Sequence, residues 1–437
     1  MSQLRPPAPS NDPPIGISSA ELQVECGLWA KSIPEDFRVD ELEGVRPSGS
    51  GEHLLLSVEK RGIDTARAIG CLARSLEVHP REFGRAGLKD ARAVTVQLLS
   101  ARGADLGRAR GLELNGREAG LPEHAQVRVL SAEPHDSKLR PGALRGNRFG
   151  LRLRPGRGRR LAPDAIERTG RALGHLGEHG LLNRFGPQRL GPRNRTALAG
   201  LALLRGDLNA ALERLLGCPL PSDSGQVVAA RAACAERGPG ASVDLWPGSH
   251  GAERRLASRL AKGERPARAL RSLPRERVRL HIHAAQSLLF EKLIDVRGGD
   301  PTRLLHGDVV RRTQGRGTFR IDDPSAQYPL AAAFEIVPLL PLFGRKLFAA
   351  EGPARALELD VLRSFGLDED TFADRKERGD RRPMRVAVTG VAPPQRVVDG
   401  LGDALELGFE LPPGSYATTL LAALGTRTGD LTQRLPD

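Results

Sequence analysis

The chain has 437 residues, enough for two or three domains with sizeable cores. Its 66 Lys+Arg against 53 Asp+Glu leave a net charge of +13, which favours an anionic partner, nucleic acid first and an acidic membrane surface second. No run reaches the roughly 18 uninterrupted apolar residues of a membrane span, and four scattered cysteines (Cys26, Cys71, Cys218, Cys234) without a C-x-x-C pair argue against a disulfide framework or a zinc site and fit a reducing cytoplasm.

Residues 1–20 have no apolar h-region and read as a disordered tail. In Lys31-Ser-Ile-Pro-Glu-Asp-Phe37-Arg-Val39, Pro34 disfavours helix and Phe37 and Val39 alternate, which predicts a short strand. After a Gly/Ser turn at Pro47–Gly51, His53–Lys60 predicts a second strand. Asp64–Leu76 predicts a helix capped by Asp64 or Thr65, with Ala66, Ile69, Leu72, Ala73 and Leu76 on its apolar face. Gly87-Leu-Lys-Asp90-Ala-Arg-Ala-Val-Thr-Val-Gln97 follows, a turn feeding an alternating strand of Val94, Val96 and Leu98. Asp90 thus lies in a strand–helix–strand context, and the neighbouring Lys89 and Arg92 favour its ionised form. That suits a nucleophile or base; a solvated turn aspartate has the same local pattern.

Gly103–Gly120 is a polar connection and Gln126–Ser131 a strand. In Asn147-Arg-Phe149-Gly-Leu-Arg-Leu-Arg154, Phe149, Leu151 and Leu153 share one face and Arg148, Arg152 and Arg154 the other, which suits an amphipathic strand with phosphate-contacting arginines. Leu161–His179 predicts a helix weakened by glycines. It holds His175-Leu-Gly-Glu-His179, an H-x-x-E-H spacing, but no third ligand follows at a helpful distance, so no metal is assigned. Asn183, Arg184, Gln188 and Arg189 crowd several donors into a broken segment, as an RNA-facing loop would.

Further on, Thr196–Gly217 predicts one helix, Pro219–Gly251 a loop-rich stretch, Arg277–Arg297 a helix with His281 and His283 as a polar pair near its start, Gly307–Ile321 short strands and Ala354–Arg375 a helix. A charged stretch at Asp374–Arg382 marks a boundary. Met384–Val388 and Ala404–Leu411 return to strand patterning, and Ser415 caps a final helix reaching Gly425. Strand-rich ends therefore enclose a mostly helical middle. The domains expected are a first part over 21–179 and 386–437, with an insertion over 180–385.

Five stretches occur in order: Lys31-x-x-Pro-Glu-Asp-Phe37, Gly51-Glu-His53, Gly87-x-Lys-Asp90-x-x-Ala-Val-Thr-x-Gln97, Gly146-Asn-x-Phe149 and Asn183-x-Phe-Gly-x-Gln-Arg-x-Gly191. With Leu411-Pro-x-Gly-Ser-Tyr416-Ala-Thr, they resemble the TruD family of tRNA pseudouridine synthases from about residue 25 to about 435. The resemblance implies an α+β fold: a catalytic domain on a mixed sheet, interrupted by a large α/β insertion. It also implies isomerisation of uridine to pseudouridine in tRNA, at position 13 in the best-known members.

On matching positions, Asp90 stands for the catalytic aspartate. Phe37, Asn147, Phe149 and Tyr416 stand for substrate-contacting residues, and Lys31 and Lys89 for basic residues around the site. Leu190 and Tyr416 each stand where the family usually has Phe. The reaction breaks N1–C1′, turns the uracil and rejoins it through C5, so a carboxylate suffices and no cofactor or metal is called for. The expected partner is tRNA and not a membrane. Oligomeric state is left open, with a monomer as the default and the cytoplasm as the location. A non-catalytic RNA-binding protein on the same scaffold is the alternative.

Overall fold

Inward-facing alternation of apolar side chains builds one ten-stranded mixed sheet. In chain order its strands are β1 (Trp29–Ala30), β2 (Phe37–Glu43), β3 (His53–Arg61), β4 (Phe83–Arg85), β5 (Val94–Arg102), β6 (Glu113–Asn115), β7 (Gln126–His135), β8 (Leu144–Arg154), β9 (Thr389–Asp399) and β10 (Gly402–Leu411). They lie in the order β9-β10-β8-β2-β5-β3-β7-β6, with β1 on β8 and β4 on β5. The β2–β5 pair is parallel, and the other pairs in the sheet are antiparallel. The architecture is α+β, as expected. This computed structural model describes residues 28–155, 159–315, 317–372 and 377–426; the tail over 1–20 lies outside them.

Helix α1 (Thr65–Ser75) begins where Asp64 accepts a hydrogen bond from the Arg67 amide at 2.9 Å, satisfying one of the free first-turn donors. Its buried Ala68, Ile69, Leu72 and Ala73 pack with Leu56, Val58, Leu99 and Val127 into one core. At the other end of the sheet, Phe149, Leu151 and Leu153 of β8 and Leu405, Leu407, Phe409 and Leu411 of β10 are all buried.

Helix α2 (Ala165–His179) packs on β9. Close packing does not require its glycines, since a Cβ on Gly177 would sit at an ordinary contact distance of 3.8 Å from Val391. β9 escapes the sequence pattern because Pro393 and Pro394 interrupt it. As an outer strand with two register shifts, it accommodates residues that cannot donate to a ladder. Helix α3 (Ala417–Ala423) has Tyr416, not Ser415, at its N-cap.

Two compact units divide the chain. Among the described residues, one is Leu182–Arg385; the other runs from Leu28 to Leu181 and again from Val386, and includes the ten-stranded sheet. The first unit is helix-rich with a four-stranded antiparallel sheet of Thr318–Arg320, Val309–Arg312, Ile336–Leu342 and Asp380–Pro383. The single helix expected over Thr196–Gly217 is two, Arg195–Arg205 and Leu208–Leu216. Gly206 turns left-handed at φ 76 and Asp207 caps the second helix through the Ala210 amide. The stretch read as loop contains a helix, Gly225–Arg237, that buries Val227, Ala230 and Ala233. The helix expected to reach Arg375 ends at Ser364, with Gly366 at φ 61 just beyond it; 373–375 lie outside the described residues.

Candidate active site

The turn between β4 and β5 holds Asp90, and the strands and helix around it fix its backbone. β3 points Leu54, Leu56, Val58 and then Lys60 into the protein, so Lys60 is 1% exposed. Its ammonium donates to the main-chain carbonyls of Ile63 and Asp90, both at 2.7 Å. Thr65, at the start of α1, accepts from the Lys89 amide at 3.0 Å and donates to Gln97 of β5 at 2.9 Å. The Arg92 amide donates to Asp90 Oδ1 at 3.0 Å, a side-chain-closed turn. Burial pushes the Lys60 pKa down to about 8, against the opposing pull of Asp90 and Asp64 and with help from Lys89. Lys60 is absent from the residues that the sequence motifs single out, although a lysine in the inward phase of a strand is a visible signal.

Lys31 supplies the countercharge. Its Nζ lies 2.5 Å from Asp90 Oδ2, and the same ammonium stands 4.0 Å above the Phe37 ring centroid. Lys31 holds a left-handed backbone at φ 63, a conformation that costs a non-glycine residue on the order of 1 kcal/mol or more and concentrates at functional sites. The following turn is anchored by buried Asp36, which accepts from the Ile33 amide and, through both oxygens, from Arg154 at 2.8 and 2.6 Å. Burial alone would raise the Asp90 pKa. Lys31, the Arg92 amide and the Lys60 charge outweigh it and hold the carboxyl below its usual value. Nearness along the chain assigns that task to Lys89 and Arg92. In the structure Lys31 and Lys60 supply the charge, and Arg92 contributes its amide.

Lys89 points elsewhere. Its Nζ lies 3.1 Å from Glu41 Oε2 and donates to Asn147 Oδ1 at 2.5 Å. Glu41 faces inward on β2 opposite Asn147 of β8, and burial raises its pKa despite Lys89 beside it. The chain before Asn147 must pass close to β10: a Cβ on Gly146 would sit 2.6 Å from the Leu411 carbonyl oxygen. Asp90, Lys31, Phe37, Lys89 and Asn147 therefore form one connected cluster on the inner face of the sheet, extended by Lys60, Glu41 and Thr65.

The aromatic residues divide. Phe149 is 6% exposed, stacked on Phe409 at 5.3 Å and edge-on to Phe37 at 6.2 Å. Phe37 is buried as well and supports Lys31. These two rings form the floor of the cluster rather than an open platform. Tyr416 is half-buried at the start of α3, five residues past Leu411, the cross-strand partner of Asn147.

Other sequence candidates lie outside the cluster. Arg148 pairs with Glu410, Arg152 with Glu406, and Arg154 with Asp36 and Asp399, so the arginine row is committed within the sheet. Asn183 and Arg184 are buried, bonded to the Pro383 carbonyl and to Glu291 and Asp295; they brace their own unit instead of facing RNA. His175 and His179 stack edge-on at 4.3 Å, and among the described residues no group of three His, Cys, Asp or Glu side chains is placed to hold a metal. A cavity of about 620 Å³ includes Arg38, Asp40, Arg148, Arg152 and Glu406 in its lining but not Asp90 or Asn147. Among the described residues no helix is long and apolar enough to cross a membrane.

A family model described as tRNA pseudouridine synthase D (TruD) matches residues 23–424. The chain is 36% identical over 418 residues to the tRNA pseudouridine synthase D of Geobacter sulfurreducens, covering 94% of this chain and 97% of that protein. It is 36% identical over 412 residues to the protein of the same name from an Anaeromyxobacter species, covering 93% and 95%. A crystal structure of tRNA pseudouridine synthase D from Methanosarcina mazei matches with a TM-score of 0.73 at 25% identity, covering 95% of this chain and 97% of that one.

Proposed function

The chain belongs to the TruD family of tRNA pseudouridine synthases, and from that premise we propose that Asp90 is the carboxylate with which it isomerises uridine to pseudouridine in tRNA, at position 13. The reaction is an isomerisation, so no oxidant or second substrate enters, and the chain's own side chains suffice without a cofactor. One observation carries the assignment: Asp90 is part-buried, paired to Lys31 at 2.5 Å, held below the usual carboxyl range by that pairing, and mounted on a turn whose carbonyl is fixed by a buried lysine. Such a carboxylate attacks C1′ or removes a ribose proton without reorganising. Lys89 and Asn147 supply polar contacts for the detached uracil. Tyr416 lends an aromatic face, and Phe149 and Phe37 shape the floor beneath.

The sheet-bearing unit is the catalytic domain under this reading, and Leu182–Arg385 holds the body of the tRNA. From Glu253 to Arg279 the chain has ten Lys or Arg against three Glu. Arg254, Arg255 and Arg259 line one groove of about 590 Å³ together with Ser258 and Ser272. Arg254 and Arg255 are exposed and make no ion pair among the described residues, unlike the arginines of β8. Uncommitted guanidinium groups suit phosphate. The enzyme works as a monomer in the cytoplasm, where its substrate is. The test is conversion of uridine in tRNA to a product of equal mass with release of the C5 hydrogen. Free uracil with an abasic site would indicate a deglycosylase instead, and binding without hydrogen release a non-catalytic RNA-binding protein.

A further inference from the structure

Leu88 is 69% exposed, one of the most exposed large apolar side chains among the described residues. A lone exposed leucine is ordinary on a protein surface, but this one has a particular mounting. The next residue's amide is held by Thr65, and the carbonyl of the residue after that by Lys60. The Leu88 stem is thus fixed on the same turn as Asp90. They are two positions apart, so their Cα atoms are within about 7 Å, roughly two steps of a stacked strand at about 3.4 Å per nucleotide. Arg85 and Arg92 flank the turn, both exposed and without a side-chain ion pair among the described residues.

The geometry points to Leu88 as a wedge that enters the RNA stack and fills the space vacated when the target uridine swings out toward Asp90, with Arg85 and Arg92 on the adjoining phosphates. This rests on the reading of Asp90 as the carboxylate of a pseudouridine synthase. An enzyme acting on C1′ of a stacked nucleotide must first unstack its base, and apolar side chains inserted at a base step are a recurring way to hold a stack open. Burial of one leucine is comparable in size to unstacking one step, so a single side chain on a rigid turn suffices. The same side chain contributes nothing to the core, which leaves its exposure otherwise without a structural benefit.

The test compares the full-length protein with Leu88→Ala and Leu88→Met under single-turnover conditions, following tritium release from C5-labelled tRNA transcript. Leu88→Ala is expected to slow release by about tenfold or more, the loss of one unstacking contribution. Its thermal stability and tRNA affinity should stay near wild type. Leu88→Met, which keeps an apolar side chain of similar volume, should stay close to the wild-type rate. A transcript with an abasic site in place of the nucleotide stacked on the target removes the competing stack, and there Leu88→Ala should recover. Leu88→Ala as fast as wild type overturns the wedge, and so does a defect that the abasic transcript leaves unrelieved. A wild-type protein that forms no pseudouridine overturns the functional reading itself and the wedge with it.

Discussion

The Lys60 ammonium lies 2.7 Å from the main-chain carbonyl oxygen of Asp90, so a buried cation grips the backbone of the residue proposed as the catalytic carboxylate. Lys60→Met should lower kcat by about 100-fold, the cost of loosening a reacting group by a fraction of an ångström to one ångström, with the protein still folded. The linkage has a definite sign. Folded Lys60 loses its proton near pH 8, and an unfolded lysine near 10.4. Between those values the unfolded chain binds more protons, so stability rises with pH there, by about 3 kcal/mol for the full interval. Denaturant unfolding of wild type and Lys60→Met at pH 7.5 and pH 10 should show wild type gaining relative to the variant.

Lys31 offsets the burial of Asp90. Lys31→Met should raise the Asp90 pKa, because the effect of burial is then less opposed. The acidic limb of the single-turnover rate profile should move to higher pH in this variant, and an unmoved limb would assign the offset elsewhere.

Arg154 and Asp36 are 3% and 0% exposed and joined through two hydrogen bonds. Arg154→Met leaves a buried carboxylate without its partner, which should destabilise by about 3–5 kcal/mol. Adding Asp36→Asn should recover part of the loss. The comparison is made by chemical denaturation of the two variants.

In the basic groove, Arg254→Glu with Arg255→Glu should weaken tRNA binding. It should also make the logarithm of affinity fall less steeply with the logarithm of salt, by about one in slope for each phosphate that the variant no longer neutralises. The single-turnover rate at saturating enzyme should change little. Equal salt slopes in variant and wild type would place the phosphate-binding arginines on another surface.

Much of the unit that carries the ten-stranded sheet was legible because its strands alternate: β3, β8 and β10 fall where inward apolar residues recur, and Asp64 marks the start of α1. The site was legible mainly through motif resemblance. Its wiring was not, because Lys31 meets Asp90 across 59 positions of sequence and proximity in the chain points to Lys89 instead. A finer reading of phase was within reach. Lys60, Glu41, Thr95 and Gln97 all occupy inward positions of strands, and polar residues there are costly unless they bond to one another or to backbone. The run of Val94, Val96 and Leu98 marks the opposite phase of β5, although the strand is covered on both faces. In the other unit, Asn183 and Arg184, read as RNA-facing, are buried, since donor-rich side chains serve internal carboxylates and carbonyls as readily as phosphates; Gln188 stays exposed and Arg189 half-buried.

Asp90 carries the whole chemical proposal, and Asp90→Asn keeps its size while removing the charge. Tritium release from C5-labelled tRNA, measured at enzyme excess with binding followed in parallel, isolates the chemical step. The variant is expected to release no tritium above background while its tRNA affinity stays within a few-fold of wild type. Sustained release by Asp90→Asn at a rate near that of wild type would contradict the assignment of Asp90 as the catalytic carboxylate.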